Sequence, residues 1–325
     1  MEYLSTIQQP IKAELAHFIE LFETSLQHGD GLLGEVLSHI RQRGGKRLRP
    51  ILIFLVAKNF GKISEAAQHA AVGLELLHTA SLVHDDVVDD SAQRRGQASV
   101  NANYNNKVAV LVGDYILSTA LLYVSYTHSE AIVQHLANLG RTLSEGEIIQ
   151  LSNIQNLDFS EDVYFRVIEK KTAALFKTCA LIGAEAAGAS KEAIAAAENF
   201  GEKIGVIFQI RDDIFDYFPS KEIGKPTGND MAEGKLTLPV LYALNTTGNK
   251  EMQELAKKVK KLSATADEIA RLVTFTIESG GISYAERVMD EYYQQALSFI
   301  REFVHDSDIA KSLEAYLDYV IQRNL

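Results

Sequence analysis

Residues 64–90 run SEAAQHAAVGLELLHTASLVHDDVVDD, an apolar stretch that ends in aspartates. Ser64 suits a helix N-cap, because its hydroxyl can accept from a free amide of the first turn. After it, Ala70, Ala71, Val72, Leu74, Leu76, Leu77, Ala80, Leu82 and Val83 leave almost no polar face. A helix apolar on most sides belongs in the middle of a bundle. The stretch therefore predicts a long central helix running through the acidic cluster at Asp85–Asp90, in an all-α protein.

The flanking sequence extends the pattern. Segments 11–27 and 31–43 read as amphipathic helices, Gly44 and Gly45 break the pattern, and Pro50 suits the first turn of a helix reaching about residue 59. Further helices are predicted over 107–126, 129–151, 160–188 and 190–218. The glycine- and lysine-rich stretch 219–234 reads as a loop. Helices resume near Lys235, with breaks at 245–249, 263, 280–281 and 306–307. Only five prolines occur in 325 residues, and long proline-free stretches rich in Ala, Leu, Glu and Lys favour helix. No alternating strand pattern is found. No boundary signal splits the chain, so a single helical domain over 1–325 is expected.

Hydrophobic residues make up 46% of the chain, enough for a large core, and the net charge of -11 argues against a globally basic nucleic-acid binder. A lone cysteine, Cys179, has no internal disulfide partner and reads as a small buried hydrophobe. The start of the chain has no basic region followed by an apolar block, so no secretory signal is read. The apolar run 51–57 is too short to span a bilayer, and no transmembrane segment is expected. These readings place the protein in the cytoplasm.

One long-range echo stands out. Asp85-Asp86-Val-Val-Asp89 and Asp212-Asp213-Ile-Phe-Asp216 share one spacing, each inside an apolar helix. Residues four apart share a helix face, so Asp85 projects with Asp89 and Asp212 with Asp216. Like charges this close repel, and aspartate is a poor helix former. Hard divalent cations answer that repulsion, and magnesium is commonly held by a few carboxylates together with waters and substrate phosphates. Gln209, one turn before Asp213, extends the polar surface.

Cations lie nearby in sequence. Lys46 and Arg49, three apart after the two glycines, are expected on one helical face as an anion site. Arg94 and Arg95 follow the first acidic cluster, Lys170 and Lys171 precede Thr172, and Lys225 and Lys235 bracket Gly228-Asn229-Asp230. Together with the carboxylates they describe a site for two phosphorylated ligands, one held through metal and one by cations directly. His78 falls on the Asp85 face two turns earlier, while His84 reads as structural.

These residues, in this order, resemble the trans-isoprenyl diphosphate synthases. The first half of the likeness is Gly44-Gly45-Lys46-Arg47-Leu48-Arg49-Pro50 and His78 through Asp89 to Arg94-Arg95-Gly96. The second half is Lys171-Thr172, Gln209 through Asp216, and Gly224-Lys225 through Asp230 to Lys235. The match spans about residues 40–240 and is closest to the medium- and long-chain type, such as octaprenyl diphosphate synthase. It implies an antiparallel helical bundle of the isoprenoid synthase type with a central apolar cavity, usually a homodimer.

The resemblance also implies roles. Asp85, Asp86, Asp89, Asp212, Asp213 and Asp216 would hold magnesium, three ions per site, on an allylic diphosphate across one cavity. Arg94, Lys171, Lys225 and Lys235 would contact that diphosphate, supported by Gln209. Lys46, Arg49, His78 and Arg95 would hold isopentenyl diphosphate, and Arg323 would close over it. Thr172 would stabilise the allylic cation through its oxygen. A lipid product would draw the protein to a membrane surface at release.

Product length is read from the residues below the first aspartates. Ala80 and Ser81, five and four positions before Asp85, are small where short-chain members of the family often carry aromatics. The growing tail is therefore expected to continue past Leu77 and Gly73, with Tyr123 or Tyr126 as a floor, to about six to ten units and centrally octaprenyl, a quinone side-chain precursor. A shorter farnesyl or geranylgeranyl product, a subunit of a heteromeric synthase and a terpene cyclase stay open as alternatives. The second aspartate cluster and the Lys46/Arg49 site favour elongation over a cyclase, which binds one diphosphate. A metal-dependent phosphohydrolase would need converging histidines, and the nine present show no such pattern.

Overall fold

The computed structural model describes residues 2–42, 45–94, 96–155, 158–219 and 227–322. They group into two compact units, each discontinuous in sequence. One comprises 1–140, 178–198 and 304–313, and the other 141–177, 199–303 and 314–325.

The first unit opens with α1 (Glu2–Gln8), a 3-10 turn (Gln9–Ile11) and α2 (Lys12–Ser25), then α3 (Leu32–Arg41), α4 (Leu48–Phe60) and α5 (Glu65–Val88). A two-residue hairpin, β1 (Gln93–Arg94) with β2 (Gln97–Ala98), precedes α6 (Val100–Asn103), α7 (Asn106–Ser125) and the beginning of α8 (Glu130–Gln155). Each residue from 51 to 57 is buried, so the apolar run in α4 is core.

Helix α5 begins as its sequence dictates, with the Ser64 hydroxyl accepting from the Ala67 amide at 3.2 Å. It packs antiparallel to α7 at glycine-mediated approaches. A Cβ added at Gly113 of α7 would lie 2.2 Å from the His84 ring, and one at Gly73 of α5 would lie 2.5 Å from Val124 Cγ2. The helix stops earlier than expected. It ends at Val88, Asp89 is its C-cap, and Asp90 takes a left-handed φ of 49°. Four acids crowd the end of a helix where the macrodipole is already negative, and helical continuation through them would add to that repulsion.

The second unit takes the rest of α8, α9 (Glu161–Ile168), a π-turn (Glu169–Ala173), the start of α10 (Ala174–Ala186) and most of α11 (Lys191–Phe215). Then follow α12 (Asn229–Ala232), α13 (Leu238–Thr247), α14 (Lys250–Lys260), α15 (Ala266–Glu278), α16 (Gly281–Phe303) and the end of α17 (Ser307–Gln322). The single helix predicted over 160–188 is thus two helices joined by a π-turn. Two glycines explain how that turn is gripped. A Cβ at Gly146 of α8 would come 2.9 Å from Lys170 Cβ and 3.0 Å from the Lys171 nitrogen, and one at Gly205 of α11 only 2.3 Å from Ala173 Cα. Both neighbours press backbone against the turn, as only glycine allows.

Candidate active site

At the acidic end of α5, Asp86 is fully buried and accepts from Arg94 Nε at 2.5 Å. The β1–β2 hairpin carries Arg94 back over the helix end, and Asn101 Nδ2 donates to the Asp86 carbonyl at 3.1 Å. Arg94, assigned to an allylic diphosphate by resemblance, is here the counter-ion of Asp86. Asp85 is half-buried and Asp89 exposed. Arg95 lies outside the described residues.

The expected common helical face of Lys46 and Arg49 is not found. Helix α4 starts only at Leu48, Lys46 is exposed in the coil before it, and Arg47 between them is left-handed with φ 53°. That conformation turns the chain out of a helical path, so three-residue spacing does not align the two side chains. Gly44 lies outside the described residues. His78 is buried and lines a pocket of about 60 Å³ with Arg47, Glu75, Thr79 and Arg94.

Below the aspartates, Ala80 is buried and Ser81 is half-buried, its hydroxyl donating to the His78 carbonyl at 2.9 Å. Leu77 is buried in the same unit. The expected path past Gly73 is not open on its α7 side, because the Cβ position there faces Val124 and the Ala120 carbonyl at 3.2 Å. Tyr123 packs edge-on against His69 and Tyr126, with its hydroxyl 3.4 Å from the Leu21 carbonyl. Tyr126 itself is 43% exposed, more a surface ring than a floor.

In the second unit the π-turn presents Lys171 and Thr172 to a cavity of about 170 Å³ that also meets Tyr164, Gln209, Asp213 and Lys235. A hydrogen-bond relay crosses it. The Thr172 hydroxyl donates to Gln209 Oε1 at 2.7 Å, Gln209 Nε2 donates to Asp213 Oδ1 at 2.8 Å, and the Tyr164 hydroxyl donates to Asp213 Oδ2 at 2.5 Å. Burial, then the Asp230 carboxylate, push the Asp213 carboxyl well above the ordinary range. Burial and the Asp216 charge raise Asp230 to about 7, against the pull of Lys235.

Asp216 follows the end of α11. Its carboxylate accepts from the Asn229 amide at 3.0 Å and the Asp230 amide at 3.1 Å, so it caps the first turn of α12. Burial nevertheless raises its pKa. Asp212 is half-buried on the last turn of α11. Lys171 is paired with Glu147, and Lys235 with Glu233 at 2.6 Å. Lys225 and Arg323 lie outside the described residues.

Among the described residues, no three of His, Cys, Asp and Glu are gathered into a metal-holding group. The expected aspartates are present in each unit, and within neither unit do the described ones form a closed cage. Magnesium keeps waters and takes substrate phosphate oxygens, so a few separated carboxylates suffice for it. Buried carboxyls whose pKa values rise for want of a counter-charge, with hard oxygen donors throughout, fit such an ion.

Tyr164 and Glu147 were not among the residues read from sequence. Tyr164 sits seven positions before Lys171, a helical two-turn spacing that in retrospect puts both on one side of the turn. Nothing in the sequence around Glu147 marks it, because its partner is 24 positions away.

Residues 30–275 match the family model described as polyprenyl synthetase. The octaprenyl diphosphate synthase of Haemophilus influenzae is 35% identical over 294 residues, covering 90% of this chain and 89% of that protein. Among solved structures, geranylgeranyl pyrophosphate synthase from Bacteroides thetaiotaomicron is similar with a TM-score of 0.88 and 50% identity, covering 99% of this chain and all of that one. A polyprenyl synthase from Caulobacter crescentus, complexed with calcium and isoprenyl diphosphate, superposes with a TM-score of 0.91 at 30% identity over 98% of each chain.

Proposed function

The chain belongs to the polyprenyl synthetase family and is a trans-prenyltransferase, and we propose that it condenses an allylic diphosphate with successive molecules of isopentenyl diphosphate in a magnesium-dependent reaction. The observation that carries this reading is the lysine-lined cavity with its Thr172–Gln209–Asp213–Tyr164 relay. It combines lysine cations, buried acids with raised pKa values and an oriented hydroxyl at one place.

Asp85, Asp86, Asp89, Asp212, Asp213 and Asp216 are assigned to hold magnesium, three ions per site, on the allylic diphosphate. When bound, the ions neutralise negative charge that grows on the leaving group as the carbon–oxygen bond breaks. Lys171, Lys225, Lys235 and Arg94 are assigned to do the same through their ammonium and guanidinium groups. The electron pair leaves with the diphosphate, and the double bond of isopentenyl diphosphate attacks the resulting allylic carbon. Thr172 donates its proton to Gln209, so its lone pairs are directed away from that bond, where they can stabilise the cation. The new carbon–carbon bond is completed by loss of a proton to the departing diphosphate. Lys46, Arg49, His78 and Arg95 are assigned to the second diphosphate.

For product length, the small Ala80 and Ser81 support a medium-to-long chain, centrally octaprenyl and destined for a quinone side chain. A second reading, geranylgeranyl length, is favoured by the Gly73–Val124 approach, about three helical turns or ~18 Å below Asp85. The 50% identity to a geranylgeranyl synthase supports it as well. We place the enzyme in the cytoplasm as one functional domain over 1–325 and as a homodimer.

The deciding experiment incubates the purified protein with magnesium, farnesyl diphosphate and labelled isopentenyl diphosphate, and sizes the products by chromatography. A ladder ending near eight units supports the first length reading, and an end at four supports the second. Ala80→Tyr shortens the product in either case. No incorporation with any allylic primer sinks the activity for this chain.

A further inference from the structure

We infer that Arg47 and Glu75 are an anchoring pair that aims Lys46 and Arg49 at their diphosphate, which makes both positioning residues for the isopentenyl half of the reaction. This rests on the reading of Lys46 and Arg49 given above. Arg47 is the N-cap of α4, yet its φ of 53° and ψ of 35° are left-handed and its side chain makes no capping hydrogen bond. An N-cap ordinarily lies in the extended region and accepts from the helix's free amides. A residue other than glycine stays in the left-handed region only when its surroundings hold it there.

Two contacts do the holding. Arg47 Cζ lies 4.5 Å from the centre of the Phe22 ring, and Arg47 Nη1 lies 3.4 Å from Glu75 Oε1. The ring is a fixed platform. Phe22 stacks on Phe18 at 5.8 Å, and Phe18 meets Phe54 of α4 at 6.0 Å, all within one unit. A planar guanidinium can stack on a ring and pair with a carboxylate at once, which a lysine ammonium cannot do as well.

Glu75 is 7% exposed and is the only acidic residue between Glu65 and Asp85. A lone carboxylate in an apolar helix is costly unless it is paired. Among the described residues its Oε2 is buried without a hydrogen-bond partner, and Arg47 is the cation that pairs with the carboxylate. The pair therefore acts in two ways. It fixes the direction in which the backbone enters α4, and with it the origins of Lys46 one residue before and Arg49 two residues after. It also takes up the charge of the buried Glu75 carboxylate, which holds the two side chains together in the pocket that His78 lines.

Steady-state kinetics of the full-length enzyme, with each substrate varied in turn, test the pair through Arg47→Ala, Arg47→Gly and Glu75→Gln. We expect KM for isopentenyl diphosphate to rise about tenfold in Arg47→Ala and Glu75→Gln, with kcat and the allylic KM within about twofold of wild type. Arg47→Gly accepts the left-handed backbone without an anchor, and the same rise is expected there. A wild-type KM in Arg47→Gly or in folded Arg47→Ala overturns the anchor, and so does a parallel loss in both substrates. Circular dichroism and thermal melting establish folding, and Glu75→Gln carries the test should Arg47→Ala not fold. A wild-type protein that elongates nothing would overturn the functional reading instead, before any variant is compared.

Discussion

Asp230 carries an electrostatic tension that solution measurements can read. Burial and the neighbouring Asp216 raise its carboxyl to about 7, against about 3.9 in an unfolded chain. A carboxyl raised in this way favours the folded state below about pH 4, where both forms are protonated, and that contribution is lost as pH rises through 7. Asp213, raised by burial and by Asp230, acts in the same direction. The melting temperature of the metal-free protein should therefore fall by roughly 5 °C between pH 5 and pH 8 beyond the slope of Asp230→Asn. Magnesium with inorganic pyrophosphate should remove most of the difference. Scanning calorimetry at several pH values checks this, and parallel curves for the two proteins would place the tension elsewhere. At this scale the sequence was partly legible. Two copies of a five-residue acidic pattern in apolar helices are a local signal, and Gln209 lies one turn from Asp213. Tyr164 closes the relay from another helix, 49 positions from Asp213, and such a contact leaves no local trace. Asp216 matched the pattern by spacing, yet its carboxylate caps α12.

The π-turn between α9 and α10 is the element on which the site depends. It places Lys171 and Thr172 on the cavity, and Gly205 lets α11 come close enough for Gln209, four residues on, to meet Thr172. Gly205→Ala puts a methyl 2.3 Å from Ala173 Cα, which is backbone and cannot swing aside. Such overpacking should cost about 2 kcal/mol of stability. By pushing α11 off the turn it should also lengthen the 2.7 Å Thr172–Gln209 bond, so kcat should drop about tenfold or more while the protein still folds. Urea denaturation and single-turnover rates measure the two effects, and a stable, fully active Gly205→Ala would show that the approach is not needed. Helices themselves were easy to read, because apolar periodicity and breaks such as Gly280-Gly281 are local. A π-turn has the same composition as the helix around it, so one helix was expected over 160–188. The end of α5 and the expected helical face of Lys46 and Arg49 differ from the sequence reading for a related reason. Both depend on left-handed residues, Asp90 and Arg47, whose side chains do not announce that conformation as glycine does.

For the molecule as a whole, the surface of α7 calls for a partner. Its buried face, with Ala109, Val112, Ile116, Ala120 and Val124, is spent on α5. Its other face leaves Leu111, Leu121 and Leu122 at 68%, 57% and 51% exposure. Asn106–Ser125 is also long and apolar enough to cross a membrane by length and composition. Two features argue against a bilayer as the occupant. Asp114 stands mid-helix on the exposed side, 61% exposed, and a carboxylate at that depth in lipid costs several kcal/mol. It already has a protein partner in His84, at 3.4 Å. Moreover, the opposite face is packed against α5, so α7 has no continuous apolar circumference to offer lipid. A second copy fits better, since an apolar stripe repeated on a two-fold partner is self-complementary. Sedimentation velocity should then give twice the chain mass for the wild type. Leu111→Glu combined with Leu122→Glu should give the single-chain mass, because each buried carboxylate would lack a counter-charge across the interface. Wild-type sedimentation at the single-chain mass, together with flotation on neutral phosphatidylcholine vesicles that the double variant loses, would make the stripe a lipid contact and remove the homodimer.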